Sequence, residues 1–115
     1  MVKSDIDSFL DYLLVERGFS GNTIAAYRND LYQFLDFLEE QAHRQGRSLE
    51  WSDVNRSVLL SYILNLKQRN YASTTVARKM AAVKSFIHFL LQEDMIDKDP
   101  TENLGSPKVG KSLPK

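Results

Sequence analysis

The sequence predicts an all-α domain, a compact four-helix bundle with a flexible C-terminal linker. Three observations carry that expectation. Apolar residues recur at spacings of three and four along four separate stretches. No stretch alternates at period two over strand length, so no sheet is expected. The segment 105–115 holds two Gly, two Pro and three Lys, which is the composition of a linker. At 115 residues and 43% apolar, the chain has enough material for one core and too little for two. The expected division is a helical domain over 1–104 and a linker over 105–115.

The first helix is expected from Ser4 to Arg17, with Ser4 as N-cap and Asp5 and Asp7 where the helix dipole favours acids. Ile6, Phe9, Leu10, Leu13 and Leu14 make its apolar stripe, and Gly18 supplies a left-handed stop. The second begins at a cap on Ser20 or Asn22 and runs to Gln41, with Ile24, Tyr27, Leu31, Phe34, Leu35 and Leu38 inward. The polar stretch 42–54 is a connection that Trp51 pins to the core. The third spans Arg56 to Arg69, capped by Asn55 or Ser57, around Val58, Leu59, Tyr62, Ile63 and Leu66. The fourth is expected to be capped by Ser73 and to reach Glu93, burying Val76, Met80, Val83, Ile87, Leu90 and Leu91. Short connections within the first and last pairs of helices imply that each pair packs together.

Composition excludes several function classes. The chain has no cysteine, so disulfide scaffolds, thiolate metal sites and cysteine nucleophiles are out. Two histidines, His43 and His88, do not make a histidine-built metal site. No glycine-rich phosphate loop and no Gly-x-Ser-x-Gly elbow occurs. Asp5, Asp7 and Asp11 fit dipole and solubility roles better than catalysis. No catalytic residue, metal or cofactor is expected. Lacking a long apolar run or a signal-peptide pattern, the chain reads as a cytoplasmic domain away from the membrane.

Equal numbers of basic and acidic residues, 15 of each, conceal an uneven distribution. Residues 1–53 carry 5 basic and 10 acidic side chains, whereas 54–92 carry Arg56, Lys67, Arg69, Arg78, Lys79 and Lys84 and no acid. Such a block suits a polyanion, or else it is answered across the fold by the acidic first half. Opposite the core stripe of the fourth helix stand Thr74, Arg78, Ala81, Ser85 and His88, with Lys79 and Lys84 on the flanks. Small residues, hydroxyls and cations are what a helix needs to enter a DNA groove. The outer face of the second helix opens with Asn22, Thr23, Ala25, Ala26 and Asn29, with Arg28 to one side and Gln33 further on. The expected DNA-binding residues are Asn22, Thr23, Ala26, Arg28, Asn29, Ser73, Thr74, Thr75, Arg78, Lys79 and Ser85. Since Arg78 lies opposite the core stripe, Arg78→Ala is expected to change stability by less than about 0.5 kcal/mol.

Three segments together resemble the N-terminal core-binding, SAM-like domain of the tyrosine recombinases, the family of phage integrases and Xer resolvases. They are Arg17 to Leu31 (a turn, a capping Ser, then Thr-x-x-x-Tyr-x-x-Asp-Leu), Ser73 to Phe86, and Asp99 to Leu104 with the following Ser106-Pro107-Lys108 and Leu113-Pro114-Lys115. The connection 42–54 is longer than in compact Xer proteins. The resemblance implies that this domain forms half of a clamp on a duplex recombination site. A catalytic domain, absent here, would close the clamp, cut through a tyrosine and exchange strands within a tetramer of subunits. It also implies that this chain alone is no enzyme, and the isolated domain is expected to be a monomer. Two other readings stay open. A helical protein–protein adaptor of SAM-like or death-like type would draw on Phe37 and Phe89, which fall off the core stripes. A regulator with one recognition helix would show one cationic face rather than two.

Overall fold

The computed structural model describes residues 2–102 and 104, so the expectations for 105–115 lie outside the described residues. Four helices follow one another: α1 (Val2–Val15), α2 (Gly21–Arg44), α3 (Arg56–Gln68) and α4 (Ser73–Gln92). A single 3-10 turn, Trp51–Asp53, interrupts the connection between α2 and α3.

Local chemistry explains most of the boundaries. The Ser20 hydroxyl accepts the Thr23 N–H at 3.2 Å and starts α2, which settles the cap on Ser20 rather than Asn22. The Asn55 side chain accepts the Val58 N–H at 2.9 Å and starts α3. Gly18 takes a left-handed φ of 68° after α1, as expected. The other three helices end alike, in residues with φ between 60° and 70°: Gly46 after α2, Asn70 after α3 and Asp94 after α4. After α4, the Met95 N–H returns to the Leu90 carbonyl at 2.9 Å and the Asp94 N–H to Leu91 at 3.1 Å, closing the last turn.

Two expected caps are corrected. Ser4 is not the start of α1, because the helix already begins at Val2 and Ser4 lies within its first turn. Ser73 is the first helical residue of α4, and the cap position falls to Ala72, whose carbonyl accepts the first helical bond, from Val76. The turn after Asn70 is thus one residue shorter than the sequence pattern implied.

α1 packs on α2, α3 on α4, and the pairs join where α2 and α1 meet α4. The shared core contains Ile6, Phe9, Leu31, Phe34, Leu59, Tyr62, Leu66, Met80, Val83, Phe86 and Leu90, all nearly inaccessible. Trp51 does pin its connection. Its ring meets Phe86 edge-on at 5.0 Å, and its indole N–H donates to Asp5 at 2.7 Å. Asp5 is therefore a tertiary acceptor as well as a first-turn acid, and Asp7 likewise accepts from the Tyr32 hydroxyl. Phe89 is buried against Phe9 and Tyr12, and Phe37 packs on Tyr62. The adaptor reading loses the two exposed aromatics on which it drew.

Candidate nucleic-acid interface

The N-terminal part of α2 and the second and third turns of α4 leave an open cleft between them. Asn22, Thr23, Ala26, Tyr27 and Asp30 line it from α2, and Arg78, Ala81 and Ala82 from α4. The small Ala26 and Ala81 keep it shallow, and both are exposed. Of the residues expected to meet DNA, the fold brings Asn22, Thr23, Ala26 and Arg78 together here. Arg28 and Asn29 are exposed on the same half of α2, while Ser73 and Thr74 are exposed, and Thr75 half-buried, at the start of α4. Ser85 faces a neighbouring cleft, shared with Tyr12, Arg17, Phe19 and His88.

Lys79 is not on this surface. It is 3% exposed, and its ammonium donates to Asp30 Oδ1 at 2.9 Å. It also lies 5.2 Å from the centre of the Tyr71 ring. The reason is positional: Lys79 stands three residues after Val76 and four before Val83, on the stripe that faces inward. Asp30 is its counterpart, three after Tyr27 and four before Phe34, and is 2% exposed. Gln33, read as outer surface, is half-buried and donates to the Tyr71 hydroxyl at 3.2 Å.

Arg78 completes the cluster. Its Nε donates to Asp30 Oδ2 at 3.2 Å and its Nη2 to Oδ1 at 3.0 Å, while its side chain stays 57% exposed. The carboxylate thus holds one wholly buried cation and one that reaches the cleft mouth. Arg78 therefore also holds a buried carboxylate, a contact that helical phase alone does not show. Close by, the Tyr62 hydroxyl is buried with no hydrogen-bond partner. Burial, and then the nearby Asp30 charge, push its phenol well above the usual tyrosine range.

At the far end of α4, Asp99 forms a turn with Thr101 and approaches His88 at 3.6 Å. Partial burial disfavours the Asp99 charge. The Thr101 hydroxyl and backbone N–H, both donating to it, and the nearby His88 outweigh that, so its carboxyl sits below the ordinary range. No helix among the described residues is long and apolar enough to cross a membrane.

Comparison with known proteins places this arrangement. The chain is similar over 114 residues to the tyrosine recombinase XerC of Herpetosiphon aurantiacus, at 48% identity, covering 99% of this chain and 36% of that protein. It is 46% identical to XerC of a Roseiflexus species, covering 99% of this chain and 35% of the relative. Against XerD of Halalkalibacterium halodurans the identity is 38%, again over 99% of this chain and 37% of the relative. The chain therefore spans about a third of the length of the curated relatives it matches. The integrase of mycobacterium phage Brujita shares the fold, with a TM-score of 0.70 at 15% identity, over 96% of this chain and 34% of that one. The family model for the phage integrase N-terminal SAM-like domain matches residues 6–94, the cleft included, and the chain belongs to that family.

Proposed function

We propose that this chain is the DNA-binding module of a tyrosine site-specific recombinase, and that the α2 and α4 faces enter the grooves of a duplex recombination site. The observation that carries the reading is the cleft itself. Its amide, hydroxyl and guanidinium groups stand among alanines, and the one acid at its floor, Asp30, is withdrawn from solvent. Asn22, Thr23 and Arg78 offer hydrogen bonds to base edges and phosphates, while Arg28, Asn29, Ser73, Thr74, Thr75 and Ser85 extend the surface along both helices. The start of α4 adds free backbone N–H groups for a phosphate. Lys79 has no part in this surface.

In the whole recombinase the module forms half of a clamp. Residues 105–115 serve as the linker to a catalytic domain that cuts one strand through a tyrosine, within a tetramer. The similarity to XerC and XerD proteins, whose length is about three times the matched region, supports that reading. As half of a clamp the chain should bind duplex DNA weakly, at about micromolar Kd or above, with strong salt dependence. A fluorescence titration at low salt tests this, and failure to bind any duplex at accessible concentration removes the reading. Incubated with DNA and run on a denaturing gel, the chain alone should give no covalent adduct.

A further inference from the structure

Asp30 lines the DNA cleft, yet at 2% exposure it cannot itself meet DNA. What it touches is Arg78, along one edge of the guanidinium: Nε–H to Oδ2 and Nη2–H to Oδ1. A guanidinium has five N–H donors in a rigid plane. With the Nε edge held inward, the opposite end keeps a parallel pair, one N–H on Nη1 and one on Nη2. That end belongs to a side chain 57% exposed at the cleft. An exposed arginine without such a partner samples many rotamers and loses that freedom on binding. Lys79, which shares Oδ1 with Arg78 Nη2, keeps Asp30 in place from within the core.

We propose that Asp30 is a positioning residue that holds Arg78 as a fixed two-donor fork for a paired acceptor on duplex DNA. Two acceptors have the matching chemistry: the O6 and N7 edge of a guanine, and two oxygens of one phosphate. The inference rests on the DNA-binding reading above. It assigns the acid of the cluster to DNA recognition, although an acid beside a DNA surface should by charge alone weaken binding.

The test uses the double substitution Asp30→Leu with Lys79→Met, in which residue 30 has no acceptor left for Arg78. It removes both buried charges together, leaves net charge unchanged and keeps Arg78, now unheld. The 115-residue chain, wild type and variant, is first checked by circular dichroism for equal helix content, then incubated with a pool of duplexes randomised over their central base pairs. A fixed duplex recovered from the pool is then titrated. The expected result is a loss of affinity of about fivefold or more, the lower end for losing a two-donor contact. For a guanine contact the loss comes with relaxed preference at one base pair; for a phosphate contact it is equal on all sequences. Arg78→Lys, which keeps the charge and the Asp30–Lys79 pair but not the fork, should lose a similar amount. In the DNA-free chain, the Arg78 Nε–H should give a slowly exchanging nitrogen–proton resonance that the double variant lacks. A double variant that binds as tightly and selectively as wild type overturns the inference alone. So does an unprotected Nε–H in the wild type. A wild-type chain that retains no duplex overturns the DNA reading as well, while the resonance still reports whether Asp30 holds Arg78.

Discussion

Arg78 touches a buried carboxylate and the solvent at once, and both contacts bear on its replacement. In Arg78→Ala, Asp30 keeps Lys79 but loses two hydrogen bonds from a half-exposed partner. Solvent screening keeps the cost modest, at about 1 kcal/mol in a denaturant melt, above the 0.5 expected of a bare surface residue. The fractional loss in DNA affinity should be larger. Tyr62 carries the opposite prediction. Its hydroxyl is buried and unpartnered, so Tyr62→Phe removes a desolvated group and keeps the ring contacts with Phe34 and Phe37. Stability should stay level or rise by up to about 1 kcal/mol, read from the urea midpoint. At this scale the sequence was partly legible. Helical phase alone puts Asn22, Thr23, Ala26 and Arg78 on outer faces, and the fold gathers them at one cleft. Asp30 and Lys79 also declare themselves, since each stands three and four residues from core positions, but a polar residue on an apolar stripe is easily assigned to its flank. Pairing them across two helices needs the packing, which no single helical phase contains.

α4 is the element on which core and cleft depend together. Its inner face holds Val76, Met80, Val83, Phe86 and Ile87, and Val83 is fully buried. Val83→Ala should destabilise the fold by roughly 1–3 kcal/mol and affect DNA only through folding, as paired melting and binding measurements would show. The turn beyond the helix carries a pH dependence. Because the folded Asp99 carboxyl titrates below its unfolded value of about 3.9, its contribution is complete above that pH. It is lost as pH falls through the lower folded value. A carboxyl-carbon NMR titration should place the Asp99 midpoint below 3.9, about the unperturbed aspartate value, and Thr101→Ala should bring it back up. Helix number and order follow from periodicity, and so do the inward stripes except at Leu14, which is 48% exposed; Ser20 and Asn55 are each one of the two caps the sequence allows. The ends were harder to read, because Asn70 and Asp94 adopt left-handed backbone that neither residue requires. The chain's return onto the core sets that choice, and with it the cap of α4 falls on Ala72, so that the helix begins at Ser73 itself.

Across the whole molecule, the acid-free block and the acidic first half are not independent. Asp30, from the first half, answers Lys79 completely and Arg78 in part. Of the two readings of that block, balance across the fold is realised for Lys79 and in part for Arg78, while the polyanion surface is the part we propose. Charge counting could show the asymmetry but could not say which cations are withdrawn. Another long-range link joins the start of the chain, the middle connection and α4: the indole of Trp51 between Asp5 and Phe86.

Trp51 is the only tryptophan in the chain, so nature has supplied a single optical reporter at a junction of three segments. Its emission should be blue-shifted in the native state and move to the red when α1, the connection or α4 lets go. If the domain unfolds as one unit, that shift and the loss of helical ellipticity will trace the same curve in urea. A fluorescence change that precedes the ellipticity change would mean that the connection detaches first. Asp5→Asn, which weakens the acceptor beneath the indole, is the variant in which that separation should first be seen.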